Sequence, residues 1–143
     1  MQFFKFHPLM MAAIISAGCA AVSPVAPPQP RPDQGLVVFI RQNVIAGDFW
    51  NTHFSVDQRE VASLNDKEYS YIYLAPGTHT VHASFHGDKD LNFPLEIKAG
   101  DTAYVEFRQE IVSKNRVRGV LELIPAHVAA PVVQQSRFEA ASE

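Results

Sequence analysis

The chain holds a single cysteine, Cys19, so no disulfide can form within it. Its longest early apolar stretch, Pro8 to Ile15, falls far short of the roughly 20 residues that a membrane-spanning helix needs. Excess charge of either sign is also lacking. Twelve Lys and Arg face fifteen Asp and Glu, a formal net charge of −3. A mildly acidic balance gives no electrostatic footprint for nucleic acid and no basic patch for anionic lipid head groups. Catalytic signatures are missing too. There is no Gly-x-Ser-x-Gly nucleophile, no glycine-rich phosphate loop and no dinucleotide fingerprint. Asp88 and Asp90 flank Lys89 and read as a solvated turn. No catalytic residue and no cofactor are expected.

Histidines raise the question of a metal, chiefly His79, His82 and His86. On a strand, side chains two apart share a face. His82 and His86 therefore point one way and His79 the other. Residues four apart on a strand are separated by roughly 13 Å, too far for one ion. No metal site is expected, and His79 reads as a partly buried histidine bonded near a turn.

What is present begins with an address. Residues 1–18 carry Lys5, the apolar stretch, and then Ser16-Ala17-Gly18 before Cys19. A charged start, an apolar middle and small residues before a cleavage point make up a secretory leader. Its end resembles the lipobox of bacterial lipoproteins, with Ala17-Gly18-Cys19 matching and Ser16 standing where leucine is usual. That resemblance implies lipidation of Cys19 and, with Ala20 and no aspartate following, the periplasmic side of an outer membrane. The alternative is an ordinary secreted protein cleaved near Gly18. Residues 19–34 contain Pro24, Pro27, Pro28, Pro30 and Pro32, the composition of an extended tether.

Residues 35–125 read as one all-β domain. Leu36 to Arg41 is almost wholly apolar, the pattern of a strand buried on both faces. Thr52 to Val56 alternates, turns at Asp57 to Glu60, and returns over Val61 to Leu64 as a hairpin. Tyr69 to Leu74 and Thr78 to Phe85 alternate on either side of Pro76-Gly77. Leu91 to Ile97 contains Pro94, which suits an edge strand. Thr102 to Val112, a basic turn over Ser113 to Arg118, and Val120 to Ile124 complete the series. About 7–8 strands with turns at this spacing predict a small antiparallel β-sandwich. Its expected core holds Val38, Ile40, Val56, Ile72, Leu74, Val81, Phe85, Leu95, Val105, Phe107 and Leu121. Residues 126–143 are expected as a flexible tail or a short helix over Val132 to Ala141.

Two stretches invite a closer reading. Pro76-Gly77 fits a type II turn, with proline at the second position and glycine at positive φ at the third. That turn, with His79 just after it, would fix the register between the strands it joins. Tyr69, Tyr71 and Tyr73 lie on one strand face, and Phe49 and Trp50 precede them in a loop. Tyrosines at a sandwich rim often pack their rings and wet their hydroxyls. The functional alternative is an aromatic platform for a glycan or a partner peptide.

The order of signals from Leu36 to Ile124 resembles a family of bacterial lipoproteins, domain of unknown function 2846. The matching residues are the opening strand ending in Arg41, Val56-Asp57-Gln58-Arg59-Glu60-Val61 with Leu64, and Tyr69 leading into Pro76-Gly77-Thr78-His79. Ala99-Gly100-Asp101 before Tyr104-Val105 and the closing Leu121-Glu122-Leu123 continue the match. Gln58-Arg59 departs from the glycine-containing turn common in the family. The resemblance implies a transthyretin-like or PEGA-like sandwich and brings no catalytic residues. Together these observations predict a non-enzymatic lipoprotein of the cell envelope, held to the membrane through Cys19, with an envelope protein or glycan as partner and no nucleic acid. The alternatives are a secreted or periplasmic carbohydrate- or peptide-binding module and an envelope enzyme without a sequence-visible site.

Overall fold

The computed structural model describes residues 25–42, 50–85, 91–114 and 116–142. Cys19, Phe49 and His86 lie outside them. Nine strands and one helix form in these residues. The strands are β1 Gly35–Gln42, β2 Thr52–Val56, β3 Arg59–Leu64, β4 Glu68–Leu74, β5 Gly77–Ser84, β6 Leu91–Ile97, β7 Thr102–Ser113, β8 Arg116–Ile124 and β9 Arg137–Phe138. The helix, α1, spans Ala126–Gln134. One sheet has the order β8-β7-β1-β4-β9 and the other β3-β2-β5-β6, and they pack as a β-sandwich. Most neighbours are antiparallel, as expected. Two pairs, β1 with β7 and β4 with β9, run parallel.

β1 sits at the centre of the larger sheet and is buried from Gly35 to Arg41. Its period of two divides its side chains between two cores. Val37 and Phe39 point inward and pack with Phe54, Val56, Val81, Leu95, Val105 and Phe107 between the sheets. The rings of Phe39 and Phe54 stand 5.2 Å apart. Leu36, Val38 and Ile40 point outward and meet Tyr69, Ala129 and Val133. Val38 and Ile40 therefore belong to an outer core under α1, and not to the inter-sheet core expected for them. Ile72, Leu74, Phe85 and Leu121 are only partly buried at the margin of the inter-sheet core. Pro94 lies in β6, an edge strand, the place in a sheet where proline is tolerated.

The tail is ordered along residues 126–142. Pro125 caps α1 through its carbonyl, which accepts from the amides of Val128 and Ala129. Ala129 and Val133, four apart, present one face to the sheet. The amides of Arg137 and Glu139 then donate to the carbonyls of Lys67 and Tyr69, which makes β9 a fifth strand. The helix thus begins six residues before the expected Val132 start. The sequence pattern concealed this because the apolar face is only two buried residues long and Pro131 interrupts it.

Pro76-Gly77 also departs from expectation. β4 and β5 lie in different sheets, so the pair makes a corner between layers and sets no hairpin register. Gly77 has φ +141, well beyond the roughly +80 of the type II position. The side chain of His79 takes the Ala75 carbonyl at 2.8 Å. The true hairpin turn of this region is Asp57-Gln58, with φ of 49 and 71. Two consecutive positive φ values match the type I′ turn, whose twist suits a two-residue hairpin.

The two special glycines predict different behaviour. At Gly35 a Cβ would stand 2.2 Å from Ile97 Cγ1 and 2.9 Å from the Lys98 carbonyl, whereas at Gly77 it would meet open space. Gly35→Ala should cost about 1–3 kcal/mol through overpacking, and Gly77→Ala about 1–3 kcal/mol through backbone strain. In denaturation titrations, Ile97→Ala should combine less than additively with Gly35→Ala, because the added methyl and the Ile97 side chain compete for one space. Additivity in that pair would show that the sheets part freely at Gly35.

Candidate functional site

The tyrosine stripe is where the sequence placed an aromatic platform. In the register of β1 and β4, Tyr69, Tyr71 and Tyr73 stand opposite Ile40, Val38 and Leu36. The three rings therefore line the outer face of the larger sheet, as one face of a strand requires. That face is already occupied by the chain itself. Tyr69 is fully buried beneath α1. Phe138 of β9 stacks on Tyr71 at 5.3 Å and 26°, and lies 5.5 Å from Tyr69. The Tyr73 hydroxyl donates to the Gln29 carbonyl at 3.1 Å, and the Arg31 guanidinium sits 3.9 Å from the Tyr73 ring centroid. Residues 25–34 are thus laid along the sandwich as a strap, where a free tether was expected. The stripe holds down two other segments of the chain, the strap at Gln29 and Arg31 and β9 at Phe138.

Trp50 lies elsewhere. The buried guanidinium of Arg41, at the end of β1, donates to the carbonyls of Trp50 and Leu64. This pins the loop before β2 and the end of β3 at one end of the sandwich, called here the Gln42 end. The indole is 56% exposed. It borders a shallow hollow of about 320 Å³ with Asn51, His53, Ser84 and Phe85. His53 and Ser84 are register partners on the smaller sheet. Trp50 therefore borders the smaller sheet while the tyrosines line the larger one, and the two do not form one surface. Asn51 is held by Ser63 at 3.0 Å, and His53 lies 3.3 Å from Glu60.

The corner at His79 is a third cluster. Asp57 accepts from the Thr80 amide at 2.9 Å and meets His79 Nδ1 at 2.6 Å, while His79 Nε2 meets the Ala75 carbonyl. Both ring nitrogens face acceptors, an arrangement that favours the protonated ring. Asp57, foremost, and then the Ala75 carbonyl raise the His79 pKa above its ordinary 6.5. His79, foremost, and the Thr80 amide hold Asp57 below its ordinary 3.8. The pair clamps the β2–β3 turn to the corner between sheets. Beside it lies a broad, open, polar depression of about 620 Å³ lined by Ser55, Asp57, Gln58, Thr80, His82 and Asn92. Ligand pockets of this volume are usually enclosed and largely apolar, which this face is not.

Sequence reasoning missed a fourth feature at the Gln42 end. The pairing of β7 with β1 stops at Gln42 and Arg108. Beyond it, β7 and β8 continue with only each other as partners among the described residues. Ile111, Val112 and Val117 are exposed there, beside Lys114, Arg116 and Arg118. The signal was present as two aliphatics running into the basic turn. Among the described residues no group of three or more metal-ligating side chains comes together, and no helix is long and apolar enough to cross a membrane.

No protein-family model matches the chain, and no curated protein matches it.

Two predictions follow from this geometry. The Tyr69 hydroxyl is buried without a hydrogen-bond partner, and burial raises its pKa. An unpaired buried hydroxyl costs about 1–3 kcal/mol, so Tyr69→Phe should raise the denaturation midpoint; a lowered midpoint would reveal a solvated hydroxyl. The His79 contribution is fully present below pH 6.5 and is lost as pH rises through the raised folded value. The Asp57 contribution is lost as pH falls below 3.8. Compared by thermal melts, wild type should exceed His79→Gln in stability near pH 6, and the gap should close as the medium becomes alkaline. A gap that does not change with pH would show an uncharged ring.

Proposed function

We propose that the chain is a lipid-anchored protein of the bacterial cell envelope, attached through Cys19 to the outer membrane on its periplasmic side. Its sandwich acts without catalysis as a binding or scaffolding domain. One observation carries this reading: Ala17-Gly18-Cys19 follows a charged and then apolar leader, directly ahead of the proline-rich segment that becomes the strap. A cysteine in that setting serves as the acceptor of a diacylglyceryl group, and more than one acyl chain holds firmly where one does not. The resemblance to domain of unknown function 2846 supports the same assignment.

A second reading has its own observation. The exposed Trp50 indole beside Asn51, His53 and Ser84 combines an aromatic face with hydrogen-bonding groups, the pairing a sugar ring needs. On this reading the protein is a secreted or periplasmic glycan-binding module, with Trp50 in place of the tyrosines.

Metabolic labelling with palmitate separates the two. Wild type should take up label and fractionate with membranes, and Cys19→Ser should lose both. Labelling or fractionation unchanged in Cys19→Ser would remove the anchor. Retention on immobilised envelope glycan that Trp50→Ala abolishes would favour the second reading.

A further inference from the structure

Among the described residues seven large apolar side chains are exposed, and Val25, Leu123 and Val128 stand apart from one another. The other four, Trp50, Ile111, Val112 and Val117, are 56%, 63%, 49% and 42% exposed and sit at the Gln42 end. The last three belong to the projecting tip of the β7–β8 hairpin. Ile111 and Val117 are register partners, and the ladder shifts between Ile111 and Ser113. Lys114, Arg116 and Arg118 lie within the same few residues. Arg118 is shared with Glu110 at 2.6 Å, and among the described residues no carboxylate pairs with Lys114 or Arg116. The whole chain is acidic, yet its fold gathers cations and aliphatics at one convex point.

The strap points the same way. Gln29 and Arg31 contact Tyr73, opposite Leu36 at the start of β1. Val25, Ala26 and Pro27 border one hollow with Tyr104 of β7 and with Val133 and Gln134 in the last turn of α1. Followed backward, the strap therefore runs toward the Gln42 end.

We propose that the Gln42 end is a membrane-docking surface, in which the Ile111, Val112 and Val117 side chains enter the interface of an anionic bilayer. Lys114 and Arg116 meet lipid phosphates, and Trp50 rests at head-group depth. The chemistry matches the occupant. Aliphatic side chains partition into the acyl boundary, cations are drawn to anionic lipid, and indole favours the interface between them. A projecting convex tip suits a fluid surface, whereas a protein partner would need a pocket shaped to receive it. Orientation rests on the anchored reading, but the docking chemistry does not.

Trp50 is the only tryptophan in the chain, so its emission reports on the site. The protein as isolated from cells is mixed with vesicles of phosphatidylethanolamine and phosphatidylglycerol containing brominated lipid. Trp50 emission should shift to the blue and be quenched, with far less effect in phosphatidylcholine vesicles or at high salt. Ile111→Asp/Val112→Asp should abolish quenching, and Lys114→Glu/Arg116→Glu should reduce it by roughly tenfold or more, with thermal melts unchanged in both. Flotation of Cys19→Ser, scored separately, tests the anchor: an anchored protein with unquenched Trp50 fails the docking proposal alone. Unquenched Trp50, quenching that survives in the tip variants, or tip variants that instead lose an envelope protein partner would each overturn it.

Discussion

The structure depends on one constraint: β1 is apolar on both faces and must be covered on both. The inner face of Val37 and Phe39 is covered by the smaller sheet. The outer face of Leu36, Val38 and Ile40 would stand in water if the chain ended at Ile124. Burying large aliphatics contributes about 1.5–3 kcal/mol each, a large share of a stability of about 5–15 kcal/mol for a domain of this size. Helix α1 supplies that cover with Ala129 and Val133, and Tyr69 completes it. The fold is therefore a two-layer sandwich with a partial third layer built from the chain's end.

Holding that layer in place requires polar groups at its far side. Glu68 is buried at the start of β4, where its carboxylate accepts from the Asn65 amide at 2.7 Å and pairs with Arg137. A buried carboxylate is costly unless it is paired and hydrogen-bonded. Arg137 thus serves the strand as much as the strand serves the tail. The Ser142 amide then reaches the Val61 carbonyl in the smaller sheet at 2.9 Å. The last residues connect both layers, which explains why a segment without strong helical pattern is nonetheless ordered.

Much of the fold was legible because it was written in local pattern. The unbroken apolar run of β1 announced double burial, Pro94 announced an edge, and the alternation of Thr52 to Val56 and Val61 to Leu64 announced a hairpin. What escaped was what depends on distant partners. Pro76-Gly77 has the composition of a hairpin turn, but which sheet each flanking strand joins is decided by residues far along the chain. Tyr69, Tyr71 and Tyr73 share one face as alternation requires. That the face would be covered by Phe138, Gln29 and Arg31 could not be seen in the strand itself. The parallel pairing of β1 with β7 likewise has no sequence mark, because both strands read as ordinary alternating or apolar runs. At the candidate sites, Trp50 was visible as an aromatic in a loop, but its separation from the tyrosines was a matter of topology.

The position of β1 in the order of synthesis has its own consequence. Its parallel neighbour begins at Thr102, and the helix that shields its outer face begins at Ala126. Contacts so distant in sequence form slowly, because the loop must close before they give any return. A chain emerging from its N-terminus leaves its most apolar strand half-dressed until its last residues arrive. It cannot lock into its final shape part-way. A protein threaded end-first through a narrow passage would stay pliable for the whole transit and close only on the far side, with the strap and β9 fastened side by side against the same row of rings.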